Sequence, residues 1–193
     1  MESTTKTGVH YLTDARASQF TVQVFSGGLL SAFGHSPKIA IRDFSGEAEV
    51  NPDDIEHSSL KITIKAEALA VTDDISDKDR REIERVMQMD ILETSAYPEI
   101  VYECSNIAAN KAGEGQYPVT LNGNLTMHGI TRPVLLHVEL LPEKNDASGS
   151  LHWKVTASLK RKSFGLSWNA LIEASQAVGD DISIRMNIAT PAR

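Results

Sequence analysis

Strict alternation of apolar and polar residues is the feature of this sequence that most limits its fold. In the stretch "LKITIKAEAL", every second residue from Leu60 to Ala68 is apolar, and polar or charged residues fill most of the positions between them. The same habit recurs in "FTVQVF", "YPVTLNGNL", "VLLHVEL", "WKVTASL" and "ISIRMNI". Since successive side chains of a strand point to opposite faces, this pattern is typical of strands with one dry and one wet face. The sequence therefore predicts an all-β protein.

Short connections between these segments favour an antiparallel arrangement. The turn signals "FSGG", "NPDD", "NKAGEGQ" and "PEKNDASGS" separate them and leave no room for crossover helices. We count about eight strands, which is typical of a sandwich or a barrel. The length of 193 residues fits a single domain over residues 1–193, with residues 1–8 as a loose N-terminal tail.

One segment follows a helical period instead. The stretch "SDKDRREIERVMQMDIL" places four apolar residues on one stripe of a helix: Ile83, Val86, Met87 and Ile91. Ser76 is a suitable N-cap residue at its start. We predict one amphipathic helix that acts as a lid over an open end or edge of the sheet.

Charge and hydropathy exclude several classes of function. A net charge of −7 argues against a nucleic-acid partner, which normally meets a basic face, and against a strongly anionic membrane surface. No apolar run approaches the length of a membrane span, so we expect a chain that does not cross a membrane. The N-terminal stretch has no apolar core of the secretory type, so we expect a cytoplasmic protein, or a periplasmic one if a leader is removed.

The cysteine and the histidines offer little metal or redox chemistry. A single cysteine, Cys104, cannot form an internal disulfide, and we expect it to be a small apolar side chain on a strand. The six histidines include no closely spaced pair, so no metal site and no cofactor are predicted. His137 and His152 are out of phase with the apolar faces of their segments. If these segments form a hairpin, the two imidazoles could be near neighbours on the outer surface.

The densest stretch is "LTMHGITRPV", residues 125–134. A catalytic role for His128 lacks a nucleophile or a carboxylate close by in the sequence. A turn explains more, because Gly129 can adopt a positive φ, the Thr131 hydroxyl can bond nearby backbone, and Pro133 can begin the next strand. We predict a hairpin tip in which His128 and Arg132 brace the turn.

The same stretch resembles the motif "L-T-[IM]-H-G-[VI]-T-[RK]-P-V" of the YceI-like bacterial proteins, lipocalin-like barrels that bind polyisoprenoid lipids. Further family motifs are matched by "YPEI" at 97–100, "RKSFGL" at 161–166 and "VGDDISI" at 178–184. The resemblance spans nearly the whole chain. It departs near the N-terminus, where Asp14 is followed by Ala17 and Ser18 without the family's histidine.

The resemblance implies an eight-stranded antiparallel lipocalin-like barrel that holds a long apolar chain without catalysing a reaction. The implied ligand is a polyisoprenoid or a fatty-acid-like lipid, and a homodimer is an open alternative to a monomer. The inward positions of the alternating segments are expected to line the barrel: Val22, Val24, Ile62, Ile64, Leu121, Leu136, Val138, Trp153, Val155 and Ile184.

Alternation does not decide between a hollow barrel and one that its own side chains fill. A hollow barrel would carry lipid, whereas a filled one would suit a stress-related or assembly protein that acts through its surface. An enzyme on a small apolar substrate is a third alternative, but it would need inward titratable groups.

A run of three basic residues offers a candidate for a lipid headgroup. Alternation directs Arg161 inward between Lys160 and Lys162, and its planar guanidinium suits a phosphate. The alternative is an ordinary cluster of solvated lysines with an arginine that an acidic neighbour braces.

Overall fold

The computed structural model of the chain describes residues 9–13, 20–25, 38–50, 55–109, 118–141, 151–166 and 181–190. The expected N-terminal tail, residues 1–8, lies outside these ranges.

Antiparallel strands dominate the described residues, as the alternation predicts, and all of them belong to one sheet. The eleven strands of the described ranges are β1 (Val9–Thr13), β2 (Phe20–Phe25), β3 (Lys38–Ile41), β4 (Phe44–Val50), β5 (Ser59–Lys65), β6 (Leu69–Val71), β7 (Glu99–Ala109), β8 (Pro118–Met127), β9 (Ile130–Leu141), β10 (Leu151–Lys160) and β11 (Asp181–Thr190). Their order in the sheet is β1-β4-β5-β7-β8-β9-β10-β11-β2-β3-β6. The predicted all-β class is confirmed.

The eleven segments correspond to eight longer runs. Only Arg42 and Asp43 separate β3 from β4, and a short 3₁₀ turn, Ala66–Ala68, separates β5 from β6. β1 pairs with β4 and β2 pairs with β3, so β1 and β2 lie along the same bent strand. If β1 and β2, β3 and β4, and β5 and β6 are each counted as one run, the eleven segments become the eight that the sequence pattern predicts.

The bent strand formed by β3 and β4 brings the two ends of the sheet together. Within the described ranges, β1 and β6 each have one strand partner, so the hydrogen-bonded ladders described there do not close the sheet. β4 lies next to one end of the order and β3 next to the other, although two residues separate them in the chain. The sheet therefore curls around one apolar core to which strands from all parts of the order contribute.

The predicted helix is present and begins where the sequence indicates. Helix α1 spans Asp77–Arg85 and continues as a π-helical turn, Val86–Ile91. The Ser76 hydroxyl accepts a hydrogen bond from the Asp79 backbone N–H at 3.1 Å, which is the expected N-cap. The apolar stripe is half-buried, and Leu92, directly after the π turn, is buried in the core. Neither this helix nor any other in the described ranges is long and apolar enough to span a bilayer.

Helix α1 covers the outer edge of β6. Its Glu84 carboxylate accepts a hydrogen bond from the Val71 N–H at 2.9 Å, and its Arg80 donates one to the Val71 carbonyl at 2.6 Å. The Gln88 amide, in the π turn, donates to the Leu69 carbonyl at 3.3 Å. These side chains satisfy backbone groups that an end strand would otherwise leave open. The helix thus covers an edge of the sheet, one of the two placements that the sequence predicts.

Candidate functional site

The predicted lining residues lie on the face of the sheet that carries the core. Leu121, Leu136 and Val155 are buried there. Five others are partly buried and pack against the same core: Val22, Ile62, Ile64, Val138 and Ile184. The side chains of Val24 and Trp153 lie outside the described part of the structure.

The inward face of β5 keeps solvent-accessible surface. Leu60, Ile62 and Ile64 alternate with outward residues but are only partly buried, although β5 has a strand on each side. Across the ladder, Tyr102 and Cys104 on β7 are buried, at 5% and 3% exposure. The buried position of Cys104 is the one that the sequence predicts. The core is therefore tightly packed at β7 and incompletely packed at β5.

A cleft opens where β9 and β10 separate. The two strands pair from Leu141↔His152 to His137↔Thr156, and no further pair follows in the described chain. The cleft has a volume of about 820 Å³. Its described lining contains side chains of both faces of the sheet: Asn122, Pro133, Val134, Leu135, His137, Thr156, Ala157, Ser158 and Ile184.

The same register separates His137 from His152. β9 and β10 do form the predicted hairpin, but His152 lies opposite Leu141 and His137 lies opposite Thr156. The two residues are therefore four positions apart along the ladder, roughly 13 Å at the usual rise per residue. The expectation of near neighbours was wrong, because alternation assigns a face and leaves the register open. Within the described ranges, no three histidine, cysteine, aspartate or glutamate side chains cluster as metal ligands.

The motif "LTMHGITRPV" forms a tighter hairpin tip than the sequence indicates. Met127 pairs with Ile130, so the turn consists of His128 and Gly129 alone, with φ of 52° and 70°. Two positive φ values define the type I′ turn that matches the twist of a hairpin. The positive φ predicted for Gly129 is confirmed.

The other motif residues lie inside β9, not in the loop. Pro133 is the fourth residue of that strand and pairs with Asn124, which corrects its expected place at the strand start. The Thr131 hydroxyl lies 2.8 Å from that of Thr126 across the ladder, where a bond to nearby backbone was expected. Arg132 donates from Nε to the Ser163 carbonyl at 3.2 Å, which ties β9 to a 3₁₀ turn.

The structure gives His128 a carboxylate that the sequence did not reveal. Its Nε2 lies 2.6 Å from Oε2 of Glu93, and the Tyr97 ring packs on the imidazole with centroids 4.4 Å apart. Glu93 itself has φ of 45°, an unusual conformation for a residue with a side chain. A Cβ on Gly129 would lie 2.7 Å from the Tyr97 ring, so glycine is required there for space as well as for φ. No local spacing signals a contact across 35 residues.

Arg161, the headgroup candidate, is buried at 4% exposure in the 3₁₀ turn Arg161–Phe164. Its Nη1 donates to the Leu166 carbonyl at 2.7 Å, across Gly165, which has φ of 68°. Lys160 and Lys162 on either side are exposed. The guanidinium therefore helps to close its own turn.

Solved structures share this architecture. BcnA of Burkholderia cenocepacia superposes with a TM-score of 0.65 at 21% identity, over 92% of this chain and 99% of that one. A polyisoprenoid binding domain from Saccharophagus degradans superposes with a TM-score of 0.62 at 14% identity, over 96% and 99%. At these identities the likeness establishes the fold, a lipocalin-like barrel of antiparallel strands.

Sequence comparison adds closer relatives. A UPF0312 protein of Photorhabdus laumondii is 30% identical over 125 residues, which cover 64% of this chain and 59% of that protein. Another, of Pseudomonas paraeruginosa, is 29% identical over 138 residues, which cover 70% and 66%. The match thus spans less than two thirds of the length of either relative. The profile of the YceI-like domain matches residues 11–190, and this chain belongs to the YceI-like family.

Proposed function

We propose that this chain is a non-enzymatic protein that binds a long-chain apolar lipid, a polyisoprenoid or a fatty-acid-like molecule, against its inward apolar face. The observation that carries the proposal is an inward apolar face that stays partly accessible at Leu60, Ile62 and Ile64, next to a cleft of about 820 Å³ whose lining includes inward core side chains. The family relationship supports the proposal, since one structural neighbour is described as a polyisoprenoid binding domain.

The partly buried lining provides the driving force. Leu60, Ile62 and Ile64 keep accessible apolar surface that an alkyl or prenyl chain would cover. Each methylene removed from water contributes about 0.8 kcal/mol, so several isoprene units offset the cost of ordering a flexible chain.

The polar groups of the inward face favour binding over catalysis. The Tyr102 hydroxyl, on that face, directs its one proton toward the backbone carbonyls of Leu121 and Val134, which lie 3.0 and 3.2 Å away. Burial raises the pKa of this phenol above its ordinary value, so it stays protonated to a higher pH than an exposed tyrosine does. A phenol held in this way serves packing. As a single domain, monomeric or homodimeric, the protein would carry lipid through the cytoplasm or the periplasm.

A prenol series tests the proposal. Displacement of a fluorescent lipid should show affinity that rises with each added isoprene unit, by at most roughly 2–4 kcal/mol per unit, until the chain outgrows the site. Affinity that does not depend on chain length would contradict lipid binding and favour a filled barrel that acts through its surface.

Two matched variants of β5 sharpen the test. Ile62→Asn places an amide on the inward face, whereas Thr63→Asn places it on the outward face one residue away. We expect the inward change to weaken prenol binding by about tenfold, through lost apolar contact and a desolvated amide, and the outward change to leave it intact. Equal effects of the two variants would argue against the inward face as the binding surface.

A further inference from the structure

We infer that the cleft between β9 and β10 is a lateral entrance, through the wall of the sheet, by which an apolar chain reaches the inward face. The inference rests on the proposed function, because it assigns the route to the same apolar surface. The proposed route crosses the sheet at the boundary between β9 and β10, which we call the seam, and not at an end of the barrel.

In the described part of the chain, β9 and β10 come apart at this height while each strand stays paired with its other neighbour. The last pair between β9 and β10 is His137↔Thr156. Beyond it, β9 stays paired with β8 as far as Ile130, and β10 stays paired with β11 as far as Lys160. Both strands are therefore regular on their other sides. Had the ladder continued in register, Leu135 would lie opposite Ser158.

Pro133 removes one hydrogen bond that would help to close the seam. In a two-residue hairpin the residues that flank the turn, here Met127 and Ile130, exchange both hydrogen bonds, and the pairs alternate from there. Pro133 and Asn124 thus form a pair without hydrogen bonds, so the proline nitrogen points away from β8, toward β10. A proline cannot donate to a ladder on that side. The motif thus weakens pairing on the side of β9 where the cleft opens.

The lining of the cleft connects solvent with the core. Leu135, at the outer rim, is 52% exposed, an unusual exposure for a large apolar side chain. Val134 and Ala157, at 7% and 8%, and the partly buried Ile184 belong to the inward core. Ala157 is small where its inward neighbours on β10 are larger. A chain can therefore pass from rim to floor along apolar side chains without breaking a ladder.

The chemistry of the rim suits an apolar chain better than an added strand of another protein. Among the described lining residues there is no lysine, arginine, aspartate or glutamate, although charged residues make up 23% of the chain. A peptide strand would require a continuous row of donors and acceptors on β9, and Pro133 interrupts that row. We therefore assign the cleft to a lipid chain.

Cysteine labelling tests the route with a control on the same strand. Ser158 and Lys154 both lie on the outer face of β10 and are exposed, but only Ser158 lines the cleft. In a Cys104→Ala background, Ser158→Cys and Lys154→Cys are each coupled to a bulky maleimide. Binding of a fluorescent prenol analogue is then followed by stopped flow. Leu135→Cys provides a second labelled position on the opposite rim.

A label at Ser158 or Leu135 should slow association and dissociation by about tenfold each and leave Kd nearly unchanged, since a gate alters rates and not the difference between end states. The label at Lys154 should leave both rates as in the unlabelled protein. Rates that no label changes would overturn the inference while the proposed function stands. If the Ser158 label raises Kd by accelerating dissociation alone, the ligand is bound in the cleft itself. That result also overturns the inference.

Two further outcomes separate the inference from its alternatives. If unlabelled protein binds no prenol of any length, the proposed function fails and the entrance fails with it. If the Ser158 label instead dissociates a homodimer in light scattering and leaves the lipid rates unchanged, the seam is a contact between two copies of the chain. That result contradicts a lipid entrance.

Discussion

His128 Nε2 lies 2.6 Å from Glu93 Oε2, and this hydrogen bond ties the β8–β9 turn to the segment that follows the helix. Both residues have positive φ, at 52° and 45°. Neither is glycine, so each conformation costs free energy that the surrounding contacts must offset. The pair is thus the point at which the hairpin and the helical segment hold each other in place.

The contribution of this pair can be measured at Glu93. Glu93→Ala should lower the free energy of unfolding by about 1 kcal/mol, because it removes the hydrogen bond and keeps a side chain at positive φ. Glu93→Gly should cost less, since glycine relieves the backbone strain. Urea unfolding of the two variants and of His128→Ala gives the comparison. A glycine variant less stable than the alanine variant would contradict the strain argument.

Gly129 should be among the least tolerant positions of the hairpin. Gly129→Ala should destabilise the fold by about 2 kcal/mol and Gly129→Val by more, because both are strained at φ of 70° and both crowd the Tyr97 ring. Adding Tyr97→Ala to Gly129→Asn separates the two causes, as asparagine tolerates this φ. The double variant should recover part of the loss that Gly129→Asn shows in thermal unfolding.

His128→Ala should leave prenol binding nearly intact.

We expect the burial of Tyr102 to make the stability of the fold depend on pH in the alkaline range. Burial, followed by the proximity of Cys104, raises the pKa of its phenol in the folded protein, whereas an unfolded tyrosine ionises near its ordinary value of about 10. Its contribution to stability is therefore complete below about pH 10 and is lost as the pH rises toward the folded pKa. Denaturation at a series of pH values should show a steeper alkaline loss for the wild type than for Tyr102→Phe. Parallel curves would contradict the burial of an ionisable phenol.

Substitution of Arg161 tests whether its side chain binds a lipid headgroup or only packs within the protein. If its guanidinium also meets a phosphate, Arg161→Lys should weaken prenyl diphosphate binding by about 1.5–3 kcal/mol and leave prenol binding almost unchanged. Lys162→Ala, at the exposed neighbouring position, is the control. Calorimetric titration with both ligands distinguishes the roles. Equal losses for the two ligands would assign Arg161 to the closure of its turn, through the bond to Leu166.

The faces of the strands and the start of the helix follow from local sequence. Alternation along β5 is a property of neighbouring residues, and the Ser76 cap bonds to a backbone N–H three residues away. The positive φ of Gly129 likewise follows from the residues of one turn. Each of these features depends on contacts within a few positions, where residue type and spacing leave few alternatives.

The positions across strands were decided only by the tertiary structure. Whether His137 pairs with His152 depends on the register of β9 and β10. A shift of the register by two residues keeps each side chain on the same face of the sheet but gives it a different partner on the next strand. The Glu93 carboxylate reaches His128 only because the segment after the helix packs under the hairpin. The opening between β9 and β10 depends on how two strands diverge after Thr156, although Pro133 marks it in the sequence. Local propensity assigns the direction of a side chain, and long-range packing chooses what that side chain meets.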